Sequence, residues 1–152
     1  MRDILFKGKA HDKWVEGGLI AVPEYDYFCI LENEDKLHPM DYPYLDGDFG
    51  TFDGKATPVD PETICQFTGL RDKNGNKIYE KDIVKCCSVT VNNVEGEFVS
   101  DVFWHDCMWM LHEGEYCDSM LCYFDMSCEW GSHVPEIEVI GNVFDNPELL
   151  SK

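Results

Sequence analysis

His105, Cys107, His112, Cys117, Cys122, Cys128 and His133 crowd into residues 105–133. Imidazole and thiolate groups at short spacing are what zinc takes as ligands. Four of them must converge tetrahedrally, and knuckles usually supply them as C-x₂₋₄-C pairs. Cys117 and Cys122 have four residues between them, a loose fit, and Cys122 and Cys128 have five. No C-x-x-C occurs. A zinc-stabilised interaction module is therefore one reading, with ordinary core or surface thiols as its plainer counterpart. Cys86 and Cys87 are adjacent, so a strand would send them to opposite faces and prevent joint ligation. No metal ligand and no cofactor is assigned from these spacings.

Other constellations point to chemistry less strongly. His105 and Cys107 would share a strand face two residues apart. A nucleophilic thiolate, however, is opposed by the surrounding carboxylates. Asp46-Gly47-Asp48 has the start of a cation loop but lacks the rest of an EF-hand pattern. Gly17-Gly18 is not followed by a lysine in the manner of a phosphate loop and reads as a bulge or bend. Arg71, Lys73, Lys77, Lys81 and Lys85 form a basic strip, diluted by Asp72, Glu80 and Asp82, with Tyr79 as its aromatic. Trp14, Trp104, Trp109 and Trp130 most simply fill a core, with a recognition surface as the alternative. No catalytic residue is identified, and a non-enzyme is expected.

These residues sit in a chain of 152 residues with 44% hydrophobic and 13% aromatic content, enough for a packed core and far from a disordered composition. No apolar run reaches the roughly 18 residues that would cross a bilayer as a helix. The start MRDILFKGKA lacks the apolar core of a secretory signal, so a cytoplasmic protein with reduced thiols is expected. The net charge is −18. Residues 1–85 hold 17 acids and 11 bases, whereas residues 86–152 hold 13 acids and the single base Lys152. Such a field repels nucleic acid and anionic membranes and favours basic protein partners. It also suggests a second function, an acidic decoy that imitates DNA and occupies a host nucleic-acid-binding enzyme.

The elements expected to position these groups are strands. Residues 4–7 and 14–22 read as two strands joined by a polar loop from Gly8 to Lys13, and Tyr27–Leu31 as a third. Residues 32–62 are acidic and rich in Pro and Gly. They read as an irregular connection with at most one short strand. The run 66–85, QFTGLRDKNGNKIYEKDIVK, reads as strand, Asn-Gly turn, strand, bend, strand. A turn is expected at Asn92-Asn93, strands over 98–103, 108–111 and 137–140, and a strand or short helix within 112–133. Asp145 or Asn146 caps a short helix begun by Pro147, whose Leu149 and Leu150 would dock on the core. The expected division is 1–62, a β-rich subdomain with its acidic connection, and 63–152, a β-barrel subdomain. An open strand edge also admits pairing with a second copy of the chain.

Three segments are distinctive in combination: MRDILFKGK (1–9) with Trp14-Val15-Glu16-Gly17, QFTGLRDKNGNKIYEKDIV (66–84), and IEVIGNVFDNPELL (137–150). Their order and spacing resemble the YopX family of phage and prophage proteins. Residues 24–60 and 105–133 depart from the family pattern as variable insertions, and Lys81 stands where the family usually has Gly. The resemblance implies a mainly β (α+β) fold: an SH3-like barrel with a smaller α+β part. It implies no catalytic residues, since the family has no established activity. The expected function is a small binding or regulatory protein acting through protein contacts.

Overall fold

The computed structural model describes residues 4–22, 27–32, 56–89, 95–113, 116–119 and 137–151. The chain divides into two units, Met1–Phe67 and Thr68–Lys152.

In the first unit, β1 (Phe6–Ala10) and β2 (Lys13–Val22) form an antiparallel hairpin, from Phe6 opposite Gly17 to Ala10 opposite Lys13. The expected long loop from Gly8 is replaced by a two-residue turn at His11-Asp12, with His11 at φ 56°. Gly8 lies within β1 opposite Val15, and the Val59 side chain is 3.0 Å from where its Cβ would be. β2 then changes partners: through Gly17 it pairs with β1, and from Gly18 it pairs with β3 (Tyr27–Leu31). The glycine doublet is this corner. A Cβ on Gly17 would stand 1.8 Å from the Leu31 carbonyl oxygen, so only glycine fits.

β4 (Ala56–Pro58) adds to β3, with Ala56 directly opposite Leu31. A 3₁₀ turn at Pro61–Thr63 locks onto β1. Lys9 N–H donates to Thr63 Oγ1 at 2.8 Å, Asp60 N–H donates to Lys9 O at 2.9 Å, and Asp60 Oδ1 caps Glu62 N–H. β5 (Cys65–Arg71) pairs with β1 through Phe6–Gln66 and Lys7–Cys65 and carries the chain into the second unit.

There β5 neighbours β6 (Lys77–Tyr79), and two further antiparallel sheets follow. One is ordered β12-β7-β8, from Glu138–Asn142, Asp82–Val89 and Glu95–Asp101. The other is β11-β10-β9, from Tyr116–Ser119, Met108–Glu113 and Phe103–His105. The run 98–103, expected as one strand, is cut at Val102. Its N–H donates to Asp82 O and its carbonyl accepts from Lys81 N–H, so the chain leaves β8's ladder and starts β9 against β10. The unit's core is Ile78, Val84, Cys86, Val102, Trp109, Leu111 and Ile137, with Leu70, Phe98 and Val139 packed on it.

The fold is mainly β, as expected. The sheets are open, and no closed barrel exists among the described residues: the strand orders β4-β3-β2-β1-β5-β6, β11-β10-β9 and β12-β7-β8 each end on unpaired edges. No α-helix occurs among the described residues. The expected C-terminal helix is a single 3₁₀ turn, Pro147–Leu150, with Pro147 at its first position. Asn146 occupies the cap position without a side-chain bond, and Leu150 is exposed rather than docked. The expected turn at Asn92-Asn93 and most of the acidic connection, 33–55, lie outside the described residues.

The corner sets a sharp expectation. Gly17→Ala should cost about 3 kcal/mol or more in urea unfolding, since backbone must move to admit a methyl group.

Candidate functional site

The turn after β5 is organised by one carboxylate. Asp72 is 6% exposed. Its Oδ1 accepts from Asn74 N–H at 2.9 Å and Asn76 N–H at 2.8 Å, and its Oδ2 from Asn76 Nδ2 at 3.0 Å and Val139 N–H at 3.2 Å. Gly75, at φ 86°, donates its N–H to Asp72 O, and Lys73 N–H reaches Ile137 O. The side chain of one turn residue thus ties the turn to β12. Desolvation pushes the Asp72 carboxyl up, but the bonds from Asn76, Val139 and Asn74 outweigh it and hold it below its ordinary value. Beside it, the Lys73 ammonium, 2.9 Å from Glu138, holds the Glu138 carboxyl below its ordinary value through a hydrogen bond and its charge.

A second carboxylate, Asp82, is 2% exposed and accepts Tyr79 N–H at 2.8 Å, closing the bend before β7. Within that bend Lys81 adopts φ 61°, the left-handed conformation that suits the glycine of the resembling family. Its N–H and carbonyl are used by Val102 and Val143, and its ammonium sits 5.2 Å from the Phe144 ring centroid. Asp72 and Asp82 are therefore committed chiefly to backbone amides.

The basic strip is largely absorbed within the chain. Arg71 donates to Gly75 O, Lys73 pairs with Glu138, and Lys85 pairs with Glu97 at 2.7 Å. In the first unit, Lys7 and Lys9 lie over the Trp14 ring at 5.0 and 5.7 Å. Cys29, Cys65 and Cys86 are buried in strands as small apolar groups, and Cys65 Sγ donates to Thr63 O.

Of the His/Cys group, the structure places His105 at the end of β9, Cys107 in the following turn and His112 in β10, with Cys117 opposite His112 in the ladder to β11. Cys107 does not share a strand face with His105, because Asp106 and Cys107 are the turn. His112 stacks on Phe103 at 4.2 Å. No three candidate ligands gather among the described residues. Cys122, Cys128, His133, Trp130 and Asp46-Gly47-Asp48 lie outside them.

The β9–β10 hairpin is the most exposed aromatic feature among the described residues of the second unit. His105 opposes Met108, and Trp104 opposes Trp109. Asp106 and Cys107 have φ 48° and 62°, the sign pattern of a type I′ turn, whose twist suits a two-residue hairpin. Trp109 is buried at 8%, whereas Trp104 is 51% exposed and Met108 41%. Trp104 is braced edge-on against Trp109, with ring centroids 4.7 Å apart at 68°. The core holds one indole, and that indole props up the other. Sequence reading groups all four tryptophans without separating these two. The separating signal is their spacing about a two-residue turn, which makes them cross-strand partners.

A mainly antiparallel β protein with a signature turn and an exposed aromatic hairpin is the class these features define. Comparison with known families matches residues 21–151 to the family described as YopX protein. The chain belongs to the YopX family. Comparison with curated proteins finds no match. No helix among the described residues is long and apolar enough to cross a membrane.

Asp72→Ala should destabilise the protein by about 2–3 kcal/mol, from several amide bonds to one charged acceptor. Because Asp72 and Glu138 have folded values below their ordinary 3.8 and 4.5, their contribution is complete above those values and is lost as pH falls through the depressed ones. Chemical denaturation from pH 6 down to about 2.5 should show the wild type losing more stability than Asp72→Asn. Cys107→Gly, relieving a left-handed residue in the hairpin turn, should stabilise by about 0.5–1 kcal/mol.

Proposed function

We propose that this YopX-family chain is a phage- or prophage-encoded binding module of the host cytoplasm, regulatory and non-catalytic, that works through protein contacts. The observation that carries the reading is Trp104, half exposed yet held in place by the buried Trp109. Large aromatic side chains with little conformational freedom to lose are what binding hot spots use. Membership of the family supports the phage origin. The commitment of Asp72 and Asp82 to backbone amides supports a non-catalytic role for the central motif.

The charge supports a second reading, the DNA-mimicking decoy, through 13 acids against one base in residues 86–152. The two differ in salt dependence, because attraction between exposed charges is screened within roughly 3 Å at 1 M salt. Capture from host lysate with the wild type and Trp104→Ala, at low salt and near 0.5 M, separates them. A partner kept at high salt by the wild type and lost by Trp104→Ala is the expected result. Recovery only at low salt, equally by both proteins, would favour the decoy.

A further inference from the structure

We infer that the β9–β10 hairpin engages a cationic protein segment that carries arginine beside an apolar side chain. This rests on the binding-module reading and specifies the partner's chemistry.

The hairpin end offers two apolar contacts on opposite faces. Trp104 shares its face with the buried Trp109, and Met108 shares the other with His105. At the turn between them Asp106 is 80% exposed in its side chain, with His105 beside it at 3.4 Å. Every formal charge from residue 86 to residue 151 is negative. An anionic partner, a nucleic acid or a second copy of this chain meets a repulsive field here. A cationic one is steered toward it.

Among cations, arginine fits best. Its guanidinium stacks on an indole and bonds a carboxylate in the same plane, which the compact, strongly hydrated lysine ammonium does not. Trp104, half exposed in β9, offers the ring, and Asp106, exposed in the turn that follows, offers the carboxylate. Met108, with an unbranched and adaptable side chain, accepts an aliphatic neighbour of varied shape. The combination gives attraction at long range from charge and retention at short range from burial, a division that charge alone does not produce.

The test uses labelled octapeptides of defined pattern, read by fluorescence anisotropy at physiological salt: alternating Arg and Leu, alternating Glu and Leu, and alternating Arg and Ser. The Arg/Leu peptide should bind the wild type, Arg/Ser at least tenfold more weakly, and Glu/Leu not measurably. Trp104→Ala should weaken Arg/Leu binding at least tenfold, and Trp104→Phe should restore most of it. Asp106→Asn should weaken it several-fold and flatten its salt dependence. Thermal unfolding of each variant identifies any that fails to fold; should Trp104→Ala do so, Asp106→Asn and the contrast of Arg/Leu with Glu/Leu carry the comparison. Equal binding of Arg/Leu to wild type and Trp104→Ala, or binding of Glu/Leu comparable to Arg/Leu, would overturn the inference. If the peptides fail while the lysate partner still requires Trp104, the binding-module reading stands and the partner is not cationic. If Trp104 affects neither, both fall.

Discussion

The second unit depends on the Asp72 carboxylate. A turn of five residues between short strands has too few backbone partners to hold its own shape. One buried side chain supplies the acceptors that Asn74, Asn76 and Val139 would otherwise lack. Because Val139 belongs to β12, the same group joins the middle of the sequence to its end, and β12 in turn pairs with β7. Asp82 repeats the device one bend later, on a smaller scale. In residues 66–85 two chain reversals are thus satisfied by buried carboxylates, and the hydrophobic core of Ile78, Val84 and Ile137 assembles around them.

Much of this was legible. Tyr27–Leu31 is a strand with the bounds its apolar run suggests, and residues 66–85 fold as strand, turn, strand, bend, strand. The reason is local: β-branched and aromatic runs between Asn, Gly and Asp leave the backbone little choice. What escaped was set by contacts distant in sequence. Gly8 reads as loop, yet Val59 makes it a packing position. The alternation over 98–103 reads as one strand, yet Lys81 and Asp82 take Val102's backbone groups and end it. The strand orders, open among the described residues, are likewise decided by pairings between segments distant in sequence, such as β1 with β5, that no window of sequence contains.

The candidate surface was less legible than the fold. Exposure of Trp104 depends on which side of a turn each indole falls, and the turn residues Asp106 and Cys107 lack the glycine that normally announces a type I′ hairpin. A polar break at His105-Asp106 places the reversal one residue early. That shift is enough to turn His105 and Cys107 from an imagined reactive pair into a strand end and a turn.

The pairing of Ala56 directly across from Leu31 has a topological meaning. β3 ends at Leu31 and β4 begins at Ala56 directly across from it, so the ladder holds the two ends of the intervening sequence side by side. The number of residues between those ends can then change without altering the register of β3 on β4. This is where a lineage can lengthen, shorten or recolour the molecule with foreign sequence while the sheet beneath stays in step.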